Sequence, residues 1–495
     1  VPGDRLDTQV IVVGAGPVGL LLAGELRLGG AHVVVLERRT APTTESRAST
    51  LHARTMEILD SRGLLDGLPD PLNDLRGHFA GIPLDLTLPG SRQGQWKVTQ
   101  FDTERLLGRW AAGLGAEIRR GHEVRTVTDA GGYVEAEAFG DGGPVLVRGS
   151  HLVACDGEDS TVRDLVGADF PGHEARRELL RADVEGVQVP DRRFERLPDG
   201  LAIAARRADG VTRVMVHEHG APALHRDGAP AFGEIAQAWK RVTGEDISEG
   251  TPVWVNAFGD ASRQLAQYRH GRVLFAGDAA HRQMPIGGQA LNLGLQDAFN
   301  LGWKLAAEVT GRAHPELLDS YHDERHTIGR RVLSAIEAQA LLLLGGPEVE
   351  PLRSLITELI AHEDVRAHLA ATISGLDIRY DVGGPAHPLV GARLPRTLLA
   401  ASASVSASAS GEATSTDVLR PGRGLLLGPG GDPDPGPVLA GRGIPFATPA
   451  ASDPGTGGAG WTLVRPDGHV VWADPAGTSP GEGLAEALNR WFGPV

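Results

Sequence analysis

Three short motifs carry residue types that suit cofactor chemistry. Gly14-Ala15-Gly16-Pro17-Val18-Gly19 spaces its glycines as a dinucleotide-binding turn does. In such a turn Gly14 permits the tight bend, Gly16 lets backbone approach a pyrophosphate, and Gly19 lets helix and strand pack closely. The phosphate then rests on the positive end of a helix. Glu37, with Arg38 beside it, stands where an acid accepts hydrogen bonds from a ribose. The second motif is Gly277-Asp278-Ala279-Ala280-His281, followed by Pro285-Ile286-Gly287-Gly288-Gln289-Ala290-Leu291-Asn292. The third is Cys155-Asp156-Gly157. The glycine turn alone does not separate FAD from NAD.

Strands and helices must hold these motifs. The aliphatic runs 9–13 and 32–36 predict strands, and 18–28 between them predicts a helix, a β-α-β unit of the usual size. Strands 151–154 and 273–276 lead into the other two motifs, and 291–309 reads as a long helix. Segments 201–206 and 211–217 predict a hairpin around Asp209-Gly210. In 231–242, Phe232, Ile235, Ala236, Trp239 and Val242 share one helical face. An α/β framework therefore carries an antiparallel insertion. The Ala/Ser-rich stretch 400–416 predicts a linker. Strands 424–427, 461–465 and 470–473, a turn at Pro466-Asp467-Gly468 and a helix near 482–491 predict a small α/β end domain.

Composition narrows the partners. The 495 residues carry a net charge of −15, without the basic footprint of a nucleic-acid binder. Anionic membrane surfaces repel such a chain. Only Lys97, Lys240 and Lys304 are lysines, against 45 arginines. Cys155 is the sole cysteine, so an internal disulfide and a cysteine zinc site are excluded. No apolar run reaches about 18 residues, and residues 1–8 do not read as a signal peptide. The expectation is a cytoplasmic protein. His322 and His326 have the i,i+4 spacing of metal ligands, but Glu324 is not in the HExxH place, and no metal is expected.

Together the three motifs resemble the flavoprotein monooxygenases of the p-hydroxybenzoate hydroxylase type, and within them the aromatic polyketide hydroxylases. The resemblance implies a Rossmann-like FAD-binding domain from 1–175 and 268–395, a middle substrate domain at 176–267, and a thioredoxin-like domain at 417–495. Asp278 would bind the flavin ribityl chain, and the loop from Pro285 through Gly287, Gly288, Ala290, Leu291 and Asn292 would present N–H groups to the flavin. Asp156 and Gly157 would border the ribityl or pyrophosphate region. Arg38, Arg47 and Gln100 would also contact FAD. Arg54, seven residues after Arg47 and read as two turns along the same helix, is the catalytic candidate that would polarise a substrate oxygen; a salt bridge to Glu57 or Asp60 is the other reading. His281 reads as a structural histidine or a proton relay.

The implied cycle has NADPH or NADH reduce FAD, O2 add at flavin C4a, and oxygen pass to a polycyclic aromatic polyketide in antibiotic biosynthesis. Baeyer–Villiger insertion and a non-oxidising binding homologue stay open, as does a homodimer. Two departures stand out: Glu158-Asp159 where a basic residue is common, and Ala290 where glycine is usual.

Overall fold

The computed structural model describes residues 4–43, 49–89, 92–226, 228–384, 386–400, 413–429, 435–450, 460–474 and 482–494. Val10–Val13, Val33–Glu37, His151–Ala154 and Val273–Phe275 are short aliphatic runs without polar alternation, and all are buried nearly throughout. Such strands belong in a parallel sheet covered on both faces. They form one, in the order Arg269–His270, Val273–Phe275, His151–Ala154, Val10–Val13, Val33–Glu37, Glu117–Arg120. Only the first strand is antiparallel to its neighbour.

Helix Pro17–Leu28 packs between Gln100–Gly113 and the long helix Gln289–Val309. Proline at its first position suits a helix start, where the missing N–H costs nothing. A four-stranded sheet, Asp4–Asp7, Gly143–Gly149, Val134–Gly140 and Glu123–Asp129, shares the same core.

The middle sheet is antiparallel throughout, in the order Arg192–Leu197, Gly200–Arg206, Thr212–Glu218, Glu178–Glu185, Thr251–Gly259. Its central hairpin turns at Asp209-Gly210, with Gly210 at φ +87°. Helix Phe232–Thr243 lays Ile235, Ala236, Trp239 and Val242 against one face of it.

The C-terminal sheet has the order Phe446–Ala447, Leu425–Leu427, Trp461–Val464, Val470–Asp474, with only the first pair parallel. Helix Glu482–Phe492 follows it. Most of the stretch read as a linker, 401–412, lies outside the described residues. Its end does not behave as a linker: Thr414 and Asp417 form a capping box for helix Ser415–Leu419. Among the described residues no single helix is long and apolar enough to cross a membrane.

Candidate active site

Four adjacent parallel strands end at one edge, and each delivers a motif there. Val10–Val13 ends in the glycine turn, Val33–Glu37 in Glu37, His151–Ala154 in Asp156-Gly157, and Val273–Phe275 in Gly277-Asp278. Ligands of open α/β sheets sit beyond such strand ends.

The glycines differ in what they must avoid. A Cβ on Gly14, at φ +104°, would lie 2.3 Å from the Cys155 carbonyl oxygen, and one on Gly19 would lie 2.0 Å from that of Gly14. Gly16 has an ordinary φ of −74°, and a Cβ there would meet no atom within 4 Å. The fold itself needs glycine at 14 and 19, while at 16 the space is left open above a helix N-terminus. The Glu37 carboxylate accepts from Ala15 N (2.7 Å) and Arg39 N (2.8 Å), tying the turn to the next strand. Arg38 is exposed beside it, and Arg47 lies outside the described residues.

Asp278 is exposed between buried Gly277 and Ala279 at the strand edge. The Asp156 carboxylate turns locally. It accepts from Ser160 Oγ (2.6 Å) and Val162 N (3.1 Å) and organises helix Thr161–Leu165, while burial raises its pKa. Gly157 sits at φ +89°, with open space where a Cβ would be.

Gly287 (φ +64°) and Gly288 (φ +72°) are consecutive left-handed residues just before helix Gln289–Val309. This is how a chain turns backbone N–H groups outward at a helix start. Asn292 fixes the loop from beneath. Its Oδ1 accepts from His52 N (2.8 Å) and Thr55 Oγ1 (2.6 Å), and its Nδ2 donates to Thr50 O (3.0 Å) and Gly288 O (2.8 Å). That side chain is therefore committed to the loop. His52 Nε2 bonds Gly287 O at 2.8 Å; burial lowers its pKa to about 4, so it is the neutral ring that donates. Pro285 is exposed, and Ala290 and Leu291 are half-buried in the first turn. Gln289 Nε2 is buried with no hydrogen-bond partner among the described residues.

Gln100 follows strand Gln95–Trp96 and opens helix Gln100–Gly113, half-exposed behind the Thr99 cap.

Arg54 requires a correction. Leu51–His52 is strand and helix Ala53–Asp60 begins only at 53, so no helix relates Arg54 to Arg47. Its guanidinium is buried, donating to Asp467 O (2.9 Å) and pairing with Glu57 (3.2 Å). Asp60 pairs instead with Arg92. The cavity at Arg54, lined also by Gln296, Asn300, Tyr380 and His469, is about 10 Å³, room for one water and not for a ring. Gln296 and Asn300 lie seven and eleven residues into the long helix, about 10–16 Å along its axis from the glycine loop. The Arg54 guanidinium thus meets Glu57, one of the two salt-bridge partners expected of it, and a carbonyl of the C-terminal unit.

Other groups escaped the sequence reading because their partners are distant in the chain. Asp297 accepts from Gly277 N (3.1 Å), His281 Nε2 (2.8 Å) and Arg325 Nε (2.7 Å), all buried. His281 is thus a strut on the Gly277-Asp278 turn. Arg163 clasps Glu158 O (2.8 Å) and Ala279 O (3.3 Å), joining two motifs. Lys97 reaches Thr50 Oγ1 (3.2 Å) beside Gly288. Arg282 stands 3.5 Å from Glu158 and 3.9 Å from Asp159. Strand His281–Arg282 thereby brings to the acidic pair the cation that its own loop lacks.

Residues 7–335 match the FAD binding domain family and 387–495 the aromatic-ring hydroxylase C-terminal family. The chain is 40% identical to 12-dehydrotetracycline 5-monooxygenase/anhydrotetracycline 6-monooxygenase of Streptomyces rimosus, over 98% of this chain and 99% of that one. It is 38% identical to dialkyldecalin synthase of Streptomyces rugosporus, over 99% and 100%. Among solved structures, CabE, an aromatic hydroxylase from angucycline biosynthesis, superposes with a TM-score of 0.92 at 48% identity, covering 99% of this chain and 100% of that one. The protein with its four motif-bearing strand ends belongs to the FAD-binding family of aromatic-ring hydroxylases, in the branch that holds flavin-dependent monooxygenases of polyketide biosynthesis.

Proposed function

We propose that this chain is a flavin-dependent monooxygenase that uses NADPH, or NADH, and O2 to hydroxylate a polycyclic aromatic polyketide. One observation carries the reading: glycine turn, Asp156-Gly157, Gly277-Asp278 and the double-glycine loop converge at one sheet edge, facing an apolar sheet face. The residues fit FAD. Gly16 leaves room for a pyrophosphate above a helix N-terminus, and buried Gln289 Nε2 lacks a protein partner at the loop. When bound, FAD supplies the redox chemistry that activates oxygen.

The chain's own residues bind and orient. Glu37 meets the ribose and Asp278 the ribityl chain. The loop at 287–291, apart from the Gln289 N–H that donates to Ile286 O, would present its backbone N–H groups to the pyrimidine edge, where a helix N-terminus stabilises negative charge. Asn292 and His52 hold that loop in place. The middle sheet closes the substrate side and excludes water. We divide the chain at 1–175 with 268–395, 176–267 and 417–495, the five-stranded antiparallel sheet marking the second unit and the C-terminal sheet the last, while a small sheet of Gly172–His173, Ser262–Gln264 and His281–Arg282 joins the first two. The last unit reads as thioredoxin-like on its strand order, one parallel and two antiparallel pairs, without the Cys-x-x-Cys of thiol chemistry.

Incubating the FAD-loaded protein with NADPH, O2 and a panel of aromatic polyketide intermediates tests this. A product heavier by one oxygen with its rings intact supports hydroxylation, and an expanded ring supports Baeyer–Villiger insertion. The likeness to a dialkyldecalin synthase favours a second reading, ring formation without oxidation. A cyclised product of unchanged mass, formed without NADPH, selects it.

A further inference from the structure

Among the described residues only two that are not glycine have a left-handed backbone, Ala80 (φ +52°) and Phe194 (φ +51°). Ala80-Gly81 is the two-residue turn of the hairpin that pairs Arg76–Phe79 with Ile82–Asp85. Such turns need positive φ at both positions, which suits Asn-Gly better than Ala-Gly. Phe194 sits where the register of strand Arg192–Leu197 slips between Arg192 and Glu195, a β-bulge on an edge strand of the middle sheet. The two strained positions meet, since a Cβ on Gly81 would lie 2.9 Å from the Phe194 Cβ. The turn is also tied down. Ala80 N donates to Gln339 (3.3 Å) of helix Ser320–Leu344, and Ala80 O accepts from Arg353 (2.8 Å) of helix Glu350–Ile360. Strained backbone held in this way clusters at ligand sites.

The side chain that this arrangement fixes is His78. Its ring packs on that of Phe194, with centres 4.3 Å apart. Gly81 N donates to His78 Nδ1 at 3.3 Å. A backbone N–H only donates, so Nδ1 carries no hydrogen and the neutral ring holds its one hydrogen on Nε2. Burial, with Arg193, Lys97 and His52 around it, lowers the His78 pKa to about 4. The ring reaches the double-glycine loop: Cε1 is 3.9 Å from where a Cβ on Gly287 would stand, and Gln289 Nε2 is equally far from that point. Phe79, Ala80 and Phe194 belong to the apolar cluster in which Met284 and Ile286 of the loop meet Leu201 of the middle sheet. His78 thus stands where loop and middle sheet meet, and no described residue accepts from its Nε2.

We propose that His78 donates its Nε2 hydrogen to a carbonyl or phenol oxygen of the aromatic substrate, between the double-glycine loop and the middle sheet. This rests on reading the chain as a polyketide hydroxylase. Phe194 and Gly81 are positioning residues for that donor: one fixes the plane of the ring and the other its tautomer. A donor held ready in this way loses little freedom when the substrate arrives.

Alizarin, a hydroxyanthraquinone, carries such oxygens, and 2-aminoanthracene has three fused rings without them. Equilibrium dialysis of both dyes against FAD-loaded wild type, His78→Phe and His78→Gln tests the proposal by binding alone. His78→Phe keeps a flat ring on Phe194 but no donor, and should bind alizarin about 10-fold more weakly, the size of one lost hydrogen bond. His78→Gln, which offers an N–H in its place, should recover most of that loss. All three should bind 2-aminoanthracene alike and hold FAD alike. Equal alizarin affinity in wild type and His78→Phe overturns the donor. So does an equal loss for both dyes, which makes His78 a packing residue, and so does a loss of FAD affinity alone, which gives the donor to the cofactor. Failure of wild type to bind either dye overturns the aromatic site itself, and this inference with it. Should His78→Phe not fold, His78→Leu against His78→Gln reads the same difference.

Discussion

The two ends of helix Gln289–Val309 are built in opposite ways. At its start, the glycine loop is held by backbone geometry and uncharged side chains, Asn292 and neutral His52. Its far half meets the C-terminal unit through buried ions. Lys304 and Arg465 both bond Glu324, Asn300 donates to it at 2.6 Å, and Arg465 also holds Asp467. Close by, Arg62 is bidentate on Glu25 and donates to Leu419 O and Pro466 O. The far end pairs the buried charges named here with one another, whereas the near end leaves a donor and space open. Chemistry belongs to the near end and assembly to the far end.

The largest effect is expected at the far end. Glu324→Ala strands Lys304 in the interior and leaves Arg465 with Asp467 alone, and breaking a buried ion cluster by removing one partner costs about 3–5 kcal/mol. Denaturant unfolding should show that loss, with FAD affinity of the remaining folded protein unchanged. A stability change under about 1 kcal/mol would break the division drawn here.

At the near end the expected effect is on ligand alone. Gly16→Val adds atoms where no protein atom stands within 4 Å, so the apo fold should melt as wild type does. FAD should bind about 100-fold more weakly, about 2.7 kcal/mol. Gly14→Val is the contrast: its Cβ collides with the Cys155 carbonyl and its φ is left-handed, so it should not fold. Full FAD retention by Gly16→Val would falsify the pyrophosphate cradle.

Acid should take the two ends apart in order. Burial lowers the pKa of His52 from 6.5 to about 4, and that of His78, beside Gly287, to about 4. Both are neutral in the fold. Between pH 6.5 and 4 the unfolded chain binds protons that the folded one refuses, so stability falls as pH falls through this window and is unaffected above it. Glu324 behaves differently: despite burial, Arg465 and Lys304 hold its pKa at about 2 against an ordinary 4.5. Its contribution is complete above about 4.5 and lost as pH drops toward 2. At the far end His469, whose pKa burial lowers to about 3, costs stability over the same descent, but Glu324 keeps its contribution until the pH falls below about 4.5, so flavin release, followed by fluorescence, should precede loss of far-UV circular dichroism. His52→Gln should shrink the first phase only. Coincident transitions would show that the ends are not separable.

The same division explains what the sequence made legible. The near end depends on local signals: glycines at fixed offsets, a strand before each motif and a helix after two of them. Those signals locate all four strand ends and the loop. The far end depends on Arg62 meeting Glu25 and Pro466, and on Glu324 meeting Arg465, pairs separated by 37 to 404 residues. No spacing announces them. Arg54 is legible only in part for that reason: the salt bridge to Glu57 is readable three residues along, whereas its bond to the Asp467 carbonyl spans 413 residues.

The smallest effect concerns the rim of the near end. Two acids beside a path for a polyanionic reductant suggest a Coulomb penalty, and hence a high KM for NADPH that falls in Asp159→Arg. Arg282 changes that sum. It lies 3.5 Å from Glu158 and 3.9 Å from Asp159, leaving the trio one negative charge rather than two. Asp159 is also 80% exposed, where water and salt screen it strongly. Exposed pairs of this kind contribute about 0–1 kcal/mol, no more than about fivefold in an equilibrium constant. Asp159→Arg should thus lower the KM for NADPH by about fivefold at most, and Arg282→Ala should raise it by a similar factor. Both changes should fade in high salt while kcat holds. A tenfold or larger fall for Asp159→Arg would mean that the reductant passes closer to this loop than the exposed geometry implies. No change in Arg282→Ala would instead remove the rim from reductant docking and leave Ala290 as the one departure of this active site with a role still to find.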